Sequence, residues 1–376
     1  MSTETGRLVS LDVFRGLTIA GMILVNNPGT WSALYWPLTH ADWHGWTPTD
    51  LIFPFFLFAV GVSIALALVP RLERDEPRGR LLLRIVSRSA VLFALGLFLA
   101  GFPSFDFATI RIPGVLQRIA VCYLVAAVLF VATWSRYQTV VTAAATVGLL
   151  LGYWALMILV PVPGFGAGDL GKAGNLAAYL DRAVLGPHIW RAAKVYDPEG
   201  ILSTLPAIAT TLAGVLTGQW LRASRPLVTK AAGLAGAGVV AVVLGLVWGR
   251  WFPINKALWT SSYVVLTAGA ALLILAACVW LLEIRRWRRW ATPFVVFGTN
   301  AIAAFVLSTF VARLLILAKV TGSDGAPVSL HRWIYTHVFA PWAAPTNASL
   351  LFALAYVLIW LAVMGALYRR HIFIRV

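Results

Sequence analysis

The stretch LVSLDVFRGLTIAGMILVNNPGTWSALYWPLTHADWHGWTPTDLIFPFFLFAVGV (Leu8–Val62) decides the fold class. Two long apolar runs flank a short loop crowded with His40, Asp42, His44 and Asp50. Arg15, Asn26 and Asn27 sit within or at the end of the first run. Runs of this length match the roughly 20 residues a helix needs to cross the hydrocarbon of a bilayer. Ionisable groups in and between such helices are expensive, and so mark a candidate working site. A histidine beside carboxylates and amides at a membrane surface points to proton transfer on a polar substrate.

Composition extends this reading to the whole chain. Of its 376 residues 60% are hydrophobic and 12% charged, against roughly 25% charged in soluble domains. The mean hydropathy is +0.83. These values define a polytopic membrane protein whose partner is the lipid bilayer. The net charge of +16 does not indicate nucleic acid, because the basic residues cluster in short loops between apolar spans. No cleavable signal peptide is expected, since the first apolar run carries Arg15 and lacks a small-residue cleavage site. Cys122 and Cys278 fall inside apolar spans and read as packed thiols, with no disulfide framework or metal cluster to be built from them.

The pattern predicts an all-α membrane helix bundle of ten spans, at about 8–27, 49–70, 82–102, 115–134, 138–160, 201–222, 229–249, 261–283, 290–318 and 348–370. The ninth is long enough to be tilted, bent near Gly298, or extended beyond the bilayer. A single domain over 1–376 is expected, with one longer loop at about 161–200 that turns helical near Leu176–Val184. Arginines concentrate in alternate loops, at Arg71–Arg84, Arg136, Arg222–Lys230 and Arg285–Arg289, and in the tail. The positive-inside bias then places both termini in the cytoplasm of a bacterial inner membrane. The other loops, on the periplasmic side, hold every histidine except His371.

His40 is a general-base candidate, because amides end the helix before it and Asp50 opens the helix after it. The alternative is an interfacial histidine bonded to a headgroup or a loop carbonyl. Arg15, close to Asp12, could snorkel to the interface or form an internal ion pair. Gln117 and Arg118 begin the fourth span, and Arg118 could pair with Asp50 or Asp106. Asp197 and Glu199 could cap the sixth span; Thr260 or Ser261 could cap the eighth. Asn255 and Lys256 could face a cavity, and Asn300, deep in the ninth span, needs a partner. Trp31, Trp36, Trp43 and Trp46 could form an aromatic belt or stack on sugar rings.

Taken in order, several motifs resemble the heparan-alpha-glucosaminide N-acetyltransferase family of transmembrane acyltransferases, in a bacterial-type short form. They are Asp12-Val13-Phe14-Arg15-Gly16, Val25-Asn26-Asn27, His40-Ala41-Asp42-Trp43 with Asp50-Leu51-Ile52-Phe53-Pro54, Gly114-Val115-Leu116-Gln117-Arg118, Tyr196-Asp197-Pro198-Glu199-Gly200, Asn255-Lys256-Ala257-Leu258-Trp259-Thr260, and Gly298-Thr299-Asn300. The resemblance implies acetyl transfer from cytoplasmic acetyl-CoA to an amine or hydroxyl of an amino sugar or glycan across the membrane, without a metal. It implies His40 as general base or acyl carrier and Asn26 as its active-site partner. Asp42, Asp50, Asn255, Lys256, Trp259 and Asn300 become candidate acceptor-binding residues. Arg15, Gln117, Arg118, Arg84 and Arg88 become structural or donor-binding candidates. The lysosomal members have a further span, which would raise the count to eleven, and position 42 departs from their small hydroxyl residue. A homodimer is an allowed assembly. The competing reading is a sugar or amino-sugar transporter without catalytic activity; paired broken helices would favour it.

Overall fold

Each of the ten expected spans is helical in the computed structural model, which describes residues 8–322 and 325–374. Among the described residues there are thirteen α-helices: α1 (Val9–Asn26), α2 (Ile52–Leu72), α3 (Arg78–Gly101), α4 (Val115–Ala132), α5 (Gln138–Leu159), α6 (Leu176–Leu185), α7 (Thr204–Arg222), α8 (Leu227–Trp248), α9 (Ser261–Val279), α10 (Thr292–Thr299), α11 (Ala301–Leu317), α12 (Leu330–Ile334) and α13 (Pro345–Arg369). Two short antiparallel hairpins, β1 (Pro161–Val162) with β2 (Gly166–Ala167) and β3 (Lys319–Thr321) with β4 (Pro327–Ser329), are the only strands among the described residues. The protein is an all-α polytopic membrane helix bundle.

Among the described residues eight helices are long and apolar enough to cross a membrane, and α10 and α11, which meet at a 74° bend, reach that length and apolarity only as a pair. The sixth expected span is where the count of ten departs from this. It is the 19-residue helix α7, which carries buried Thr210, Thr211 and Thr217 and lies outside that set. Twelve of its residues are buried. A helix facing protein on most sides does not need the apolar surface that lipid contact demands.

By its contacts the chain forms two compact units. Of the described residues, one comprises 8–41, 47–53, 281–322 and 325–374; the other 42–46 and 54–280. In the first, α1 and α10 cross at contact distance. A Cβ on Gly16 would lie 1.7 Å from the Phe294 carbonyl oxygen, and one on Gly298 would lie 2.0 Å from that of Asp12. Only glycine permits such an approach, the small-residue packing that substitutes for a hydrophobic drive inside lipid. No side chain of its own caps α1; the Ser10 N–H donates to the Glu283 carboxylate at 3.0 Å instead.

In the second unit α2 and α7 cross in the same way, a Cβ on Gly61 meeting the Thr211 carbonyl oxygen at 1.9 Å and one on Gly214 meeting that of Phe58 at 2.1 Å. A loop-side cluster of Tyr153, Met157, Val162, Leu176, Ala177, Phe252 and Leu258 ties α6 and β1 to the end of α5. Asn175 caps α6 by accepting the Ala178 N–H at 2.8 Å. The expected cap of α9 is not formed. Thr260 accepts the Asn255 N–H, and the Ser261 hydroxyl donates to the Leu150 carbonyl, so neither hydroxyl accepts a backbone N–H of the first turn of α9.

Candidate active site

The first unit holds a histidine–carboxylate pair. His40 Nδ1 lies 2.7 Å from Asp50 Oδ1. The Asp50 side chain is 1% exposed and that of His40 47%. The local sequence Thr47-Pro48-Thr49-Asp50 explains the position of the carboxylate. Thr47 is the N-cap of a one-turn 3-10 helix (Pro48–Leu51) that leads into α2, with Pro48 at its first position and Asp50 completing a capping box. Asp50 Oδ2 accepts the Thr47 N–H at 3.0 Å and the Ala41 N–H at 3.1 Å. The Thr47 hydroxyl lies 2.5 Å from the Thr39 carbonyl and 3.2 Å from the same carboxylate oxygen, so its single proton serves one or the other. One carboxylate oxygen is thus held by backbone and the other faces the imidazole. An Nδ1–H donated to Asp50 makes Nε2 the basic nitrogen of the neutral ring. The T-x-x-D spacing was the available signal for Thr47, and the sequence reading missed it.

Asn26 is the last residue of α1 and is exposed; no hydrogen bond of its amide is found among the described residues. Asn27, next to it, is buried and donates to the Ile23 carbonyl at 2.7 Å. The two amides are therefore distinct: Asn27 closes the helix, and Asn26 presents a donor and an acceptor outward. Arg15 lies 3.8 Å from Asp12, one turn away on α1, which fits the internal-pair alternative. Asn300 occupies the bend between α10 and α11. Its Nδ2 donates to the Ile372 carbonyl at 3.1 Å and its Oδ1 accepts the Ile374 N–H at 2.8 Å, so its partner is the C-terminal tail.

Most of the other candidates belong to the second unit, and Trp31 and Trp36 to the first. Asp42 is 98% exposed and 3.5 Å from Lys172 Nζ. Trp43 donates its indole N–H to the Leu170 carbonyl and packs edge-on against Tyr196, 4.9 Å between centroids, whereas Trp31, Trp36 and Trp46 remain exposed. Asn255, fully buried, accepts the Leu258 N–H at 2.8 Å and donates to His44 Nδ1 at 3.3 Å. Desolvation draws His44 below its ordinary 6.5, in keeping with a neutral ring that accepts at Nδ1. Lys256 is half-buried beside it in the same loop. Three further histidines contact chain or rings: His188 bonds the Ile110 carbonyl, His331 packs on Phe352 and His337 stacks on Trp333.

Arg118, 2% exposed, does not pair with Asp106. It donates to the Ser203 hydroxyl at 2.5 Å and the Gly200 carbonyl at 3.2 Å, and lies over the Trp259 ring at 5.0 Å. Trp259 adopts a positive φ of 52° and donates to Thr210 Oγ1 at 3.1 Å. Gln117 fills the space left by Gly96 and Gly114. Arg84 pairs with Glu76 at 2.5 Å, and Arg88 lies over the Tyr123 ring at 5.0 Å.

Asp197 and Glu199 are not helix caps. Asp197 accepts Arg111 Nε at 2.8 Å, the Trp190 N–H at 2.9 Å and the Glu199 N–H at 2.9 Å, while Glu199 takes a second bond from Arg111. Arg111 is largely desolvated, which opposes its charge, but its hydrogen bonds to Asp197 and the nearby Glu199 more than compensate and raise it. Asp181 in α6 accepts the Ile201 N–H at 2.8 Å, and burial pushes its carboxyl up to about 6. Arg111 and Asp181 were not singled out in the sequence, because their partners are distant along the chain.

A polytopic helical membrane protein with a histidine–carboxylate pair at a helix entrance is the class that fold and site define. The family model for the catalytic region of heparan-alpha-glucosaminide N-acetyltransferase matches residues 7–251, a range that contains Asn26, His40, Asp50 and Arg118. The mouse (Mus musculus) heparan-alpha-glucosaminide N-acetyltransferase is 32% identical over 363 residues, covering 81% of this chain and 53% of the relative. The human (Homo sapiens) protein of that name is 32% identical over 365 residues, with the same coverage of 81% and 53%. The chain belongs to the heparan-alpha-glucosaminide N-acetyltransferase family, and spans about half the length of the curated relatives it matches.

Proposed function

We propose that this protein is a transmembrane acyltransferase that passes an acetyl group from cytoplasmic acetyl-CoA to an amine or hydroxyl of a periplasmic amino sugar or glycan. The observation that carries the reading is the 2.7 Å contact between His40 Nδ1 and the buried Asp50. Asp50 orients the ring and stabilises the imidazolium formed when Nε2 takes a proton. In the direct route the acceptor nitrogen or oxygen attacks the thioester carbonyl, Nε2 takes its proton, and the C–S bond breaks to release CoA. In the two-step route Nε2 attacks first, forming acetyl-His40 and CoA, and the acceptor then takes the acetyl group. Asn26, with its outward amide, would orient the ring or donate to the developing oxyanion, a contribution of about 3–4 kcal/mol for a donor of this kind.

The rest of the reading follows the charge pattern. Both termini are placed in the cytoplasm of a bacterial inner membrane. The whole chain is taken as one acyltransferase domain, able to act as a homodimer. Arg84, Arg88, Arg118 and Gln117 are assigned to the donor or to structure, and Asp42, Asn255, Lys256 and Trp259 to the acceptor side. Asp50 is better placed to position His40 than to bind the acceptor.

A transporter would use a broken helix such as the bend at Asn300, but that amide is engaged by the tail and the break has no counterpart among the described residues. Purified protein given acetyl-CoA and glucosamine separates the two readings. Release of CoA thiol that needs both the acceptor and His40 supports the enzyme. Binding of glucosamine without turnover supports the transporter.

A further inference from the structure

A cavity of about 490 Å³ lies between α5, α7, α8 and α9 within the second unit. Its wall is almost wholly aliphatic: Leu150, Leu216, Leu234, Val264, Val265 and Leu272 with several alanines. The two threonines in the wall do not offer polar groups to it. Thr146 donates to the Thr142 carbonyl at 2.8 Å and Thr217 to the Ala213 carbonyl at 2.9 Å. The Trp220 indole N–H is likewise occupied, by the Lys230 carbonyl at 3.1 Å. A sugar or the amide-bearing arm of a CoA would leave its own polar groups unpaired in such a lining. An alkyl chain would not.

The cavity has a direction. On α8 its wall runs from Gly233 to Ala241, a rise of about 12 Å at 1.5 Å per residue. That is close to the depth of one leaflet, half of a hydrocarbon core about 30 Å thick. The Gly233 end is closed by Trp220, whose ring lies against Gly233, where an added Cβ would come within 2.5 Å, and under the Arg225 guanidinium at 4.9 Å. Arg225, in the short loop between α7 and α8, and Lys230, in the first turn of α8, therefore flank this end of the cavity. Arg222, the last residue of α7, is drawn off by Glu73, at 3.0 Å. Trp220 is held as an amphipathic ring at the boundary, with basic groups on its outer side and aliphatic wall on its inner side.

We propose that this cavity binds one acyl chain of an anionic phospholipid, with Arg225 and Lys230 holding the phosphate-bearing head. The proposal does not depend on the catalytic reading. Each basic group beside the bilayer favours an anionic head by on the order of fivefold, so the pair is worth on the order of 30-fold over a zwitterionic lipid.

The test uses native mass spectrometry of the delipidated full-length protein, titrated with phosphatidylglycerol or phosphatidylcholine of the same chains. The wild type should retain one phosphatidylglycerol on the order of 30-fold more tightly than phosphatidylcholine. Arg225→Gln with Lys230→Gln should abolish that preference while leaving chain binding in place. Ala237→Phe, at an exposed wall position, should remove the tightest lipid equivalent for both headgroups. Ala241→Leu is a second filling variant, and thermal melting of each shows that it is folded. Equal retention of the two lipids by the wild type would overturn the proposal, as would an unchanged tightest equivalent in folded Ala237→Phe and Ala241→Leu. A dimer that dissociates when Ala237→Phe is introduced would also overturn it, by making a second copy of the chain the occupant.

Discussion

Replacing Asp50 with asparagine separates chemistry from folding. The substitution keeps size and shape, so one oxygen can still accept the Thr47 and Ala41 N–H groups at about their present 3.0 and 3.1 Å. The atom facing His40 Nδ1 then becomes an NH2 group, which can only donate. Nδ1 must become the acceptor, and the ring proton moves to Nε2, the nitrogen needed as base. A wrong tautomer in an otherwise intact site costs about 10,000-fold in kcat in the serine-protease triad, and a loss of about 1,000- to 10,000-fold is expected here. Asp50→Ala should behave differently. It strips both backbone donors of their acceptor, and an orphaned buried N–H costs about 1–3 kcal/mol, so a fall in melting temperature should accompany the loss of rate. The assay is CoA-thiol release at saturating acetyl-CoA and glucosamine, with His40→Ala as the floor and donor affinity measured alongside. Folded Asp50→Asn protein that turns over within about tenfold of wild type would refute the tautomer argument.

Other outcomes follow from the same structure. His40→Ala should bind acetyl-CoA yet transfer acetyl at least about 100-fold more slowly, and Asn26→Ala should also be slow with a smaller effect on donor affinity. His44→Ala, which loses the 3.3 Å contact with Asn255 and the ring contact with Trp43, should be far milder, as steady-state rates will show. Asp181, pushed from 3.8 up to about 6 by burial, binds a proton more readily folded than unfolded. Stability from this group is therefore full below about pH 4 and lost as pH rises through about 6, a change of about 3 kcal/mol. Asp181→Asn should melt higher than wild type at pH 7–8, and the difference should vanish near pH 4; a gap that persists at pH 4 would count against the burial account. Gly298→Ala, whose Cβ would meet the Asp12 carbonyl oxygen at 2.0 Å, should destabilise the α1–α10 crossing by about 1–3 kcal/mol, read by thermal melting. Reporter fusions after Arg80 and Arg289 should signal cytoplasm and those near Asp42 and Lys172 periplasm, and a periplasmic signal at Arg289 would break the topology.

The helices were legible in the sequence because a span is a local property: about twenty apolar residues announce themselves without reference to the rest of the chain. The status of α7 was not, since whether a helix must satisfy lipid depends on what surrounds it, and its buried threonines only make sense once α2 and α4 are packed near it. The His40–Asp50 pair was half legible. Their closeness in the chain suggested a site, and the T-x-x-D spacing defines how the carboxylate is held, but the ring contact requires the loop to fold back over ten residues. Arg118 shows the opposite limit. Its partners Gly200 and Ser203 lie more than eighty residues away, and no pattern near Gln117 points to them. Asp197 and Glu199 read as helix caps for the same reason: the arginine they bind belongs to another loop.

The elbow at Asn300 changes what the last residues of the chain are for. The side chain there is buried, and both halves of its amide are satisfied by backbone at Ile372 and Ile374, some seventy positions later. The segment at Ile372 and Ile374 is therefore part of how the bend between α10 and α11 is built, since it supplies the backbone that the buried amide needs. Asn300→Ala would leave the Ile372 carbonyl and the Ile374 N–H without these partners, a disturbance placed at the bend and not in the length of any span.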